Sequence, residues 1–191
     1  QQIVGTNRLI RILFTFQLGS SVLSIIFSLV FSQNARYQNE LDMGFRTEQV
    51  MGFQSSDSAR LAVLHDRLTQ LPEVTDWSFS HNIPGHTDWI LNLQKGERTI
   101  ESRQYYTDDR FVDFYEFELI TGRNFDNTLA SDAERSIIVN QDLVTQFGWE
   151  EPLGQTLLIE DSITLEVVGV VENFYDAGIW RPIRPTVFRY R

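Results

Sequence analysis

The chain has 191 residues, a formal net charge of −10 and no cysteine. The missing thiol excludes disulfides, thiolate catalysis and cysteine-held zinc. The acidic balance disfavours nucleic acid, because no basic patch is there to neutralise phosphates. A hydrophobic content of 42% is enough for one folded domain, or for two small lobes sharing a core.

Near the start, residues 12–31 read ILFTFQLGSSVLSIIFSLVF, twenty positions without a charge. As a helix this stretch is roughly 30 Å long, about the thickness of a bilayer's hydrocarbon core. A lone segment can satisfy its backbone in lipid only as a helix. Residues 12–31 are therefore expected to form a transmembrane helix. Arg8 and Arg11 precede it, and all 26 acidic residues follow it with 14 of the 16 basic ones, a net −12 from Ser32 onward. Basic residues beside a span stay cytoplasmic, so residues 1–11 read as a cytoplasmic flank and the acidic remainder as extracytoplasmic. A cleaved signal peptide would have a shorter apolar core and a small-x-small site after it. Ser32-Gln33-Asn34-Ala35 is a poor one. Ser20, Ser24 and Ser28 recur every four residues and make a small-residue stripe on which another membrane helix could pack.

Residues 32–41 contain no Pro or Gly, so the helix is expected to run on as a polar stalk, with Gly44 ending it and the stalk occupying 32–45. Leu41, Met43 and Phe45 are its apolar candidates for seating in the outer domain. Residues 50–53 read as a short strand. Ser55, Ser56 and Asp57 are cap-type residues before a helix with Leu61, Leu64, Leu68 and Leu71 on one face, and Pro72 stops it. Residues 74–80 read as a second strand, giving a strand-helix-strand unit. Residues 89–93 and 99–106 look like strands joined by a turn at Lys95-Gly96-Glu97. Residues 111–119 are aromatic and acidic, in part helical, and 120–125 read as a turn. Residues 136–139 are a strand, Asn140 a cap for helix 141–147, and Gly148 its end. Residues 157–159 and 163–171 form a hairpin through Glu160-Asp161-Ser162, and 186–190 a last strand. The fold class is α+β: a transmembrane helix with a stalk, then a two-lobed extracytoplasmic domain at 46–191 in which strand-helix-strand units flank a β-rich lobe. Lobe one is expected at 46–84 and 136–191, with the β-rich lobe inserted at about 85–135.

The chain carries no phosphate-cradling G-x-x-x-x-G-K-[ST], no G-x-S-x-G elbow and no H-E-x-x-H. His65 falls on the amphipathic helix. His81, His86 and Asp88 match no known ligand spacing, and Pro84-Gly85 between them suggests a turn. The adjacent acids Asp108-Asp109, Glu150-Glu151 and Glu160-Asp161 read as solvated surface. Phe111, Phe114, Tyr115 and Phe117 read as core rather than a ligand pocket. No catalytic residue, cofactor or metal is expected.

Three segments resemble a known family. Residues 118–126, ELITGRNFD, are similar to a leucine-rich turn ending in G-R-x-F. Residues 137–157, IIVNQDLVTQFGWEEPLGQTL, look like a strand, an Asn cap, a short helix and then Gly-x-x-x-Pro-[LI]-Gly. Residues 167–188, VVGVVENFYDAGIWRPIRPTVF, resemble V-V-G-V-V followed by an acidic-aromatic loop and a Pro-ended strand. Together they resemble the MacB-like periplasmic core domain of FtsX-type ABC-transporter permeases, as does NELDMGFRTEQV at 39–50. Two departures are that Gln141 stands where an acid is common and that 173–180 lacks the usual Phe-His-Phe flavour. Gly122, Gly148 and Gly154 suit turns that need positive φ, and Pro152 sets a bend before Gly154. Arg123 could tie a loop to a carboxylate. With Phe125, Asn140 and Gly169, these residues define a scaffold rather than an active site.

The resemblance implies a bacterial inner-membrane protein whose extracytoplasmic domain moves with its helices when a cytoplasmic ABC ATPase dimerises, driving export or release of a substrate. The partners it implies are that ATPase subunit, a second permease copy or permease half, and a periplasmic adaptor or substrate protein. The alternative is the ligand-sensing domain of a membrane receptor such as a histidine kinase, a class that also hangs an α/β domain from one helix.

Overall fold

The computed structural model describes residues 3–85, 89–159, 163–176 and 178–191. They fall into two units, one ending at Asp42 and the other running from Met43 to Arg191.

The first unit is one helix, α1 (Ile3–Glu40), of 38 residues and about 57 Å. Among the described residues it is the one helix long and apolar enough to cross a membrane. The apolar run and the polar residues 32–40 lie in one uninterrupted helix, which ends four residues before Gly44. Three of its hydroxyls bond back to the preceding turn. Thr15 donates to Arg11 O, Ser21 to Gln17 O and Ser24 to Ser20 O, each at 2.9 Å. Such i to i−4 bonds give a hydroxyl a partner where lipid offers none. Ser20 and Ser24 line a shallow open groove with Gly19 and Leu23, and Ser28 continues their i+4 row.

The second unit begins with an irregular segment and α2 (Ser58–Leu68). Asp57 caps α2 by accepting from the N–H groups of Ala59 and Arg60, at 3.0 and 3.2 Å. Then come β1 (Ile90–Lys95), β2 (Arg98–Thr107), α3 (Phe111–Phe114), β3 (Leu119–Gly122), α4 (Ala130–Arg135), β4 (Ser136–Asn140), α5 (Gln141–Phe147), β5 (Thr156–Ile159), β6 (Ile163–Val171) and β7 (Thr186–Tyr190).

All seven strands join one sheet in the order β3-β6-β4-β7-β2-β1-β5, and β5 also pairs with β6. Glu166 has Ser136 of β4 on one side and Thr156 of β5 on the other. Leu93 of β1 pairs Ile159 of β5. The strands β6-β4-β7-β2-β1-β5 therefore close into a ring, with β3 laid against the end of β6. The pairs β2–β7 and β4–β6 are parallel. The sheet draws strands from both expected lobes: β1 to β3 from 85–135, and β4 to β7 from 136–191.

Period-two alternation sends Leu91, Leu93, Ile137, Val139, Leu157, Ile159, Leu165, Val167 and Val187 to one face, against Leu143 and Phe147 of α5. The other face, with Tyr105, Ile138, Val171 and Phe188, packs on Phe111, Val112, Tyr115, Phe117 and Phe174. On β6 the first set is spaced Leu165, Val167, Val170. The pairing with β4 shifts between Ile137 and Ile138, and this one-residue bulge resets the phase.

Two expected strands are absent. Residues 50–53 are irregular, and of 74–80 only Ser80 pairs, as an isolated bridge to Thr107. A strand needs a free edge to pair with. β7 already occupies one side of β2, and β1 takes the other as far as Arg103, which leaves only the end of β2 for 79–81. The expected first strand-helix-strand unit is thus a helix between irregular arms. The expected turn at 120–125 begins as β3, because Leu119–Gly122 finds the end of β6. The turn 160–162 lies outside the described residues, although β5 and β6 on either side pair antiparallel as expected.

Candidate functional site

The first residues of the second unit are built into its aromatic core. Met43 O accepts from Tyr175 N at 2.9 Å, and Arg46 N donates to Tyr115 O at 2.7 Å. Between them, Gly44 has φ +79, and a Cβ there would sit 2.9 Å from both Asn173 O and Phe174 Cβ. The Phe45 ring meets Tyr115 and Phe174 edge-on at 6.1 Å and lies 5.6 Å from Phe117. The Arg46 guanidinium is 3.1 Å from Glu116 and 4.9 Å above Phe114. Residues 43–46 are therefore held between 115–117 and 173–175. Glu116 adopts φ 54, an uncommon conformation for a side-chain-bearing residue, which lets the chain turn from Tyr115 to Phe117. The sequence marked Met43 and Phe45 as apolar anchors, but not Tyr115, Phe117 or Phe174 as their seat.

A second group surrounds the G-R-x-F motif. Gly122 pairs Gly169 across β3 and β6. A Cβ on Gly122 (φ +83) would collide with Val168 O and lie 2.7 Å from Leu153 Cδ2. A Cβ on Gly169 would lie 2.5 Å from Arg123 O. Arg123 forms a two-pronged contact with Asp132, at 2.6 and 2.8 Å. The Asp132 side chain is fully buried and also accepts from Ser136 Oγ and Asp126 N. Phe125 is buried and stacks on Tyr190 at 5.9 Å.

These donors, Arg123 foremost, hold the Asp132 pKa down at about 2. A depressed carboxylate stabilises the fold above its ordinary pKa, and that stability is lost as pH falls through the folded value. Asp132 is therefore expected to contribute about 2 kcal/mol at neutral pH, fading between about pH 4 and pH 2. Urea titrations of the wild type and of Asp132→Asn over that window measure it. An equal slope of stability against pH in both proteins contradicts the assignment.

The remaining motif residues are placed as follows. Asn140 is fully buried; its Oδ1 accepts from Leu143 N and Thr186 N, and its Nδ2 donates to Arg184 O. It thus caps α5 and pins the start of β7 together. Gly148 ends α5 with φ 72 in open space. Pro152 O accepts from Gln155 N, and Gly154 takes φ +76 at the third position of that turn. Gly122, Arg123, Phe125 and Gly169 gather around β3 and the end of β6, whereas Asn140 stands at the head of α5.

Sequence reasoning missed an ion pair between Arg103 of β2 and Asp176, 73 positions apart, at 2.9 Å with side chains 7% and 4% exposed. Burial pushes the Asp176 pKa up, opposed by Arg103, Arg184 and Arg181. Burial also raises the pKa of neighbouring Tyr105, and the Asp176 charge adds to that rise. This pair fixes the loop between β6 and β7 to the sheet.

No catalytic constellation emerges among the described residues, and no group of three His, Cys, Asp or Glu there could hold a metal. His81 contacts Trp89 and Tyr106; His86 and Asp88 lie outside the described residues. Asp108 is engaged by Ser78 and Phe79 N, and Asp109 by Asn127. Glu150 and Glu151 border an open cleft of about 590 Å3 with Lys95, Arg98 and Trp149. The Lys95 ammonium is already spent on the Trp149 face and Gln155 Oε1.

The geometry thus comprises an apolar helix and an α+β unit that buries its own first residues. Residues 14–191 match the family described as MacB-like periplasmic core domain, and the chain belongs to that family. It is thus a periplasmic-type domain of MacB-like ABC-transporter permeases. No match to a curated protein was found. Among solved structures, the extracellular domain of the ABC-type transporter YknZ from Gram-positive bacteria is 15% identical, with a TM-score of 0.49. That match covers 65% of this chain and 59% of the other. The periplasmic region of MacB from Actinobacillus actinomycetemcomitans is 13% identical, with a TM-score of 0.49 and 76% and 58% covered. A permease-protein domain from Porphyromonas gingivalis is 16% identical, with a TM-score of 0.44 and 60% and 50% covered. The chain thus spans less than two thirds of each of these structures.

Proposed function

We propose that the chain is the extracytoplasmic part of an ABC permease subunit and that it turns ATP-driven motion of its membrane helix into export or release of a substrate. Residues 1–11 are the cytoplasmic flank, 12–31 the span of the bacterial inner membrane, 32–45 the stalk and 46–191 the outer domain. The observation that carries the reading is the seating of Met43 to Arg46 in the aromatic core. A displacement imposed on those residues is imposed on Tyr115, Phe117 and Phe174 as well, because close-packed interiors transmit strain. The chain has no nucleotide-binding loop, so a cytoplasmic ATPase supplies the energy. A second permease copy or half packs on the Ser20, Ser24 and Ser28 face, and a periplasmic adaptor or substrate protein meets the outer domain. The scaffold residues Gly122, Arg123, Phe125, Asn140, Gly148, Pro152, Gly154 and Gly169 keep that domain rigid. The test is insertion of Gly-Gly-Pro between Ala35 and Asn39 in the assembled transporter. Loss of transport with retained ATP hydrolysis supports the reading, and unchanged transport refutes it.

A further inference from the structure

We propose that the loop segment 178–185, GIWRPIRP, is a membrane-surface contact that docks the outer domain on phospholipid headgroups. The inference rests on the reading above that residues 12–31 span the bilayer.

Trp180 is 72% exposed, and an indole with an apolar body and a polar N–H suits a membrane interface. Its indole folds over Gly178, where a Cβ would come within 2.6 Å of the ring, and Gly178 takes φ +86. Arg181 and Arg184 follow Trp180, both exposed. Neither guanidinium is within ion-pair distance of a carboxylate among the described residues. The segment has no acid, in a chain that carries −12 from Ser32 onward. An anionic surface would repel most of this domain and attract this loop.

The described segment is anchored at both ends. Before it, Asp176 is fastened to Arg103. After it, Asn140 grips Arg184 O at 2.8 Å, and Arg103 N donates to Pro185 O at 2.8 Å. Rigid presentation lowers the entropy lost on docking.

A short tether favours the bilayer over a soluble partner. The base of the same loop holds the unit's first residues, through Tyr175 N to Met43 O and the packing of Asn173 and Phe174 on Gly44. Only residues 32–42 separate Met43 from the apolar run. Eleven residues reach about 16 Å as helix and roughly 40 Å fully extended. The lipid surface is therefore always at high effective concentration for this loop, whereas a soluble partner has to be recruited. Trp and Arg, with an apolar body and a polar or charged tip, are side chains suited to the headgroup layer.

All four tryptophans lie outside the apolar helix, so quenching by brominated lipid reads the outer unit alone. The full chain is reconstituted into vesicles of phosphatidylcholine, with and without phosphatidylglycerol, carrying brominated acyl chains. Wild-type emission is expected to be quenched, and Trp180→Phe to lose most of that quenching. Arg181→Gln with Arg184→Gln is expected to abolish the extra quenching that phosphatidylglycerol brings at low salt. Quenching of Trp180→Phe equal to wild type overturns the proposal, as does an unquenched wild type whose helix resists alkaline extraction. A helix that is extracted at alkaline pH overturns the membrane reading and this proposal with it.

Discussion

Replacing Gly122 with alanine is expected to lower the melting temperature of the outer domain by about 10 °C. Two costs add. Left-handed φ costs a side-chain-bearing residue roughly 1–2 kcal/mol. The new methyl also meets Val168 O, Leu153 and the Gly169 backbone, and overpacking of this kind costs about 1–3 kcal/mol. The sum, about 2–5 kcal/mol, is a large part of a typical domain stability of 5–15 kcal/mol. At this size each kcal/mol moves the midpoint by about 2–4 °C. Gly148→Ala is the matched control, since Gly148 has a similar φ but open space around it, and should show only the conformational cost. If both variants melt together, the close approach of β3 to β6 is not there.

The Gly-Gly-Pro insertion between Ala35 and Asn39 is expected to remove most transport while leaving basal ATP hydrolysis intact. Proline inside a helix costs about 3 kcal/mol and each glycine about 1 kcal/mol. The last turn of α1 has no basic residue to offset that, and short helices are marginal in water without support. The insertion therefore breaks α1 there. Inserting Ala-Ala-Ala separates the effects of length and stiffness. It moves the following residues by about 4.5 Å along the axis but keeps the helix. A coupling element needs stiffness, so the alanine insertion should keep more transport than the glycine-proline one. Equal transport in both would show residues 32–40 to be a tether only, and the sensor or binding-module alternative would gain.

What could be read from the sequence was local. The helix 141–147, its Asn140 cap and its Gly148 end match α5 because helix signals lie within a few residues of the helix. The strand 163–171 and the turn at Lys95-Gly96-Glu97 were equally legible, since alternation and a positive-φ glycine are near-neighbour properties. Residues 50–53 and 74–80 have strand-like composition too, but pairing is decided by whether an edge is free, and that depends on β1 and β7. Leu143 is fully buried and Val144 only partly, because which face of α5 is covered is decided by the assembled sheet. Arg123 was expected to find a carboxylate. That it finds Asp132 depends on α4, a six-residue helix with no side-chain cap. Arg103 and Asp176 had no signal, since a buried pair 73 residues apart leaves no trace in either neighbourhood.

The ring of strands has a consequence for how the domain comes apart. In an open sheet the outermost strand can fray by breaking one ladder. Here β1 and β5, last in the linear order, meet each other at Leu93–Ile159 and Gln94–Leu158 while also pairing with β2 and β6, so releasing either strand whole means opening two seams. Local opening with low free energy is thus confined to β3, the irregular arms around α2 and the loops. The amides of Leu93, Gln94, Leu158 and Ile159, where β1 and β5 meet, should exchange with solvent deuterium as slowly as those of central β7. A domain pulled repeatedly by a moving membrane helix would yield at its periphery and recover, with its ring intact from one cycle to the next.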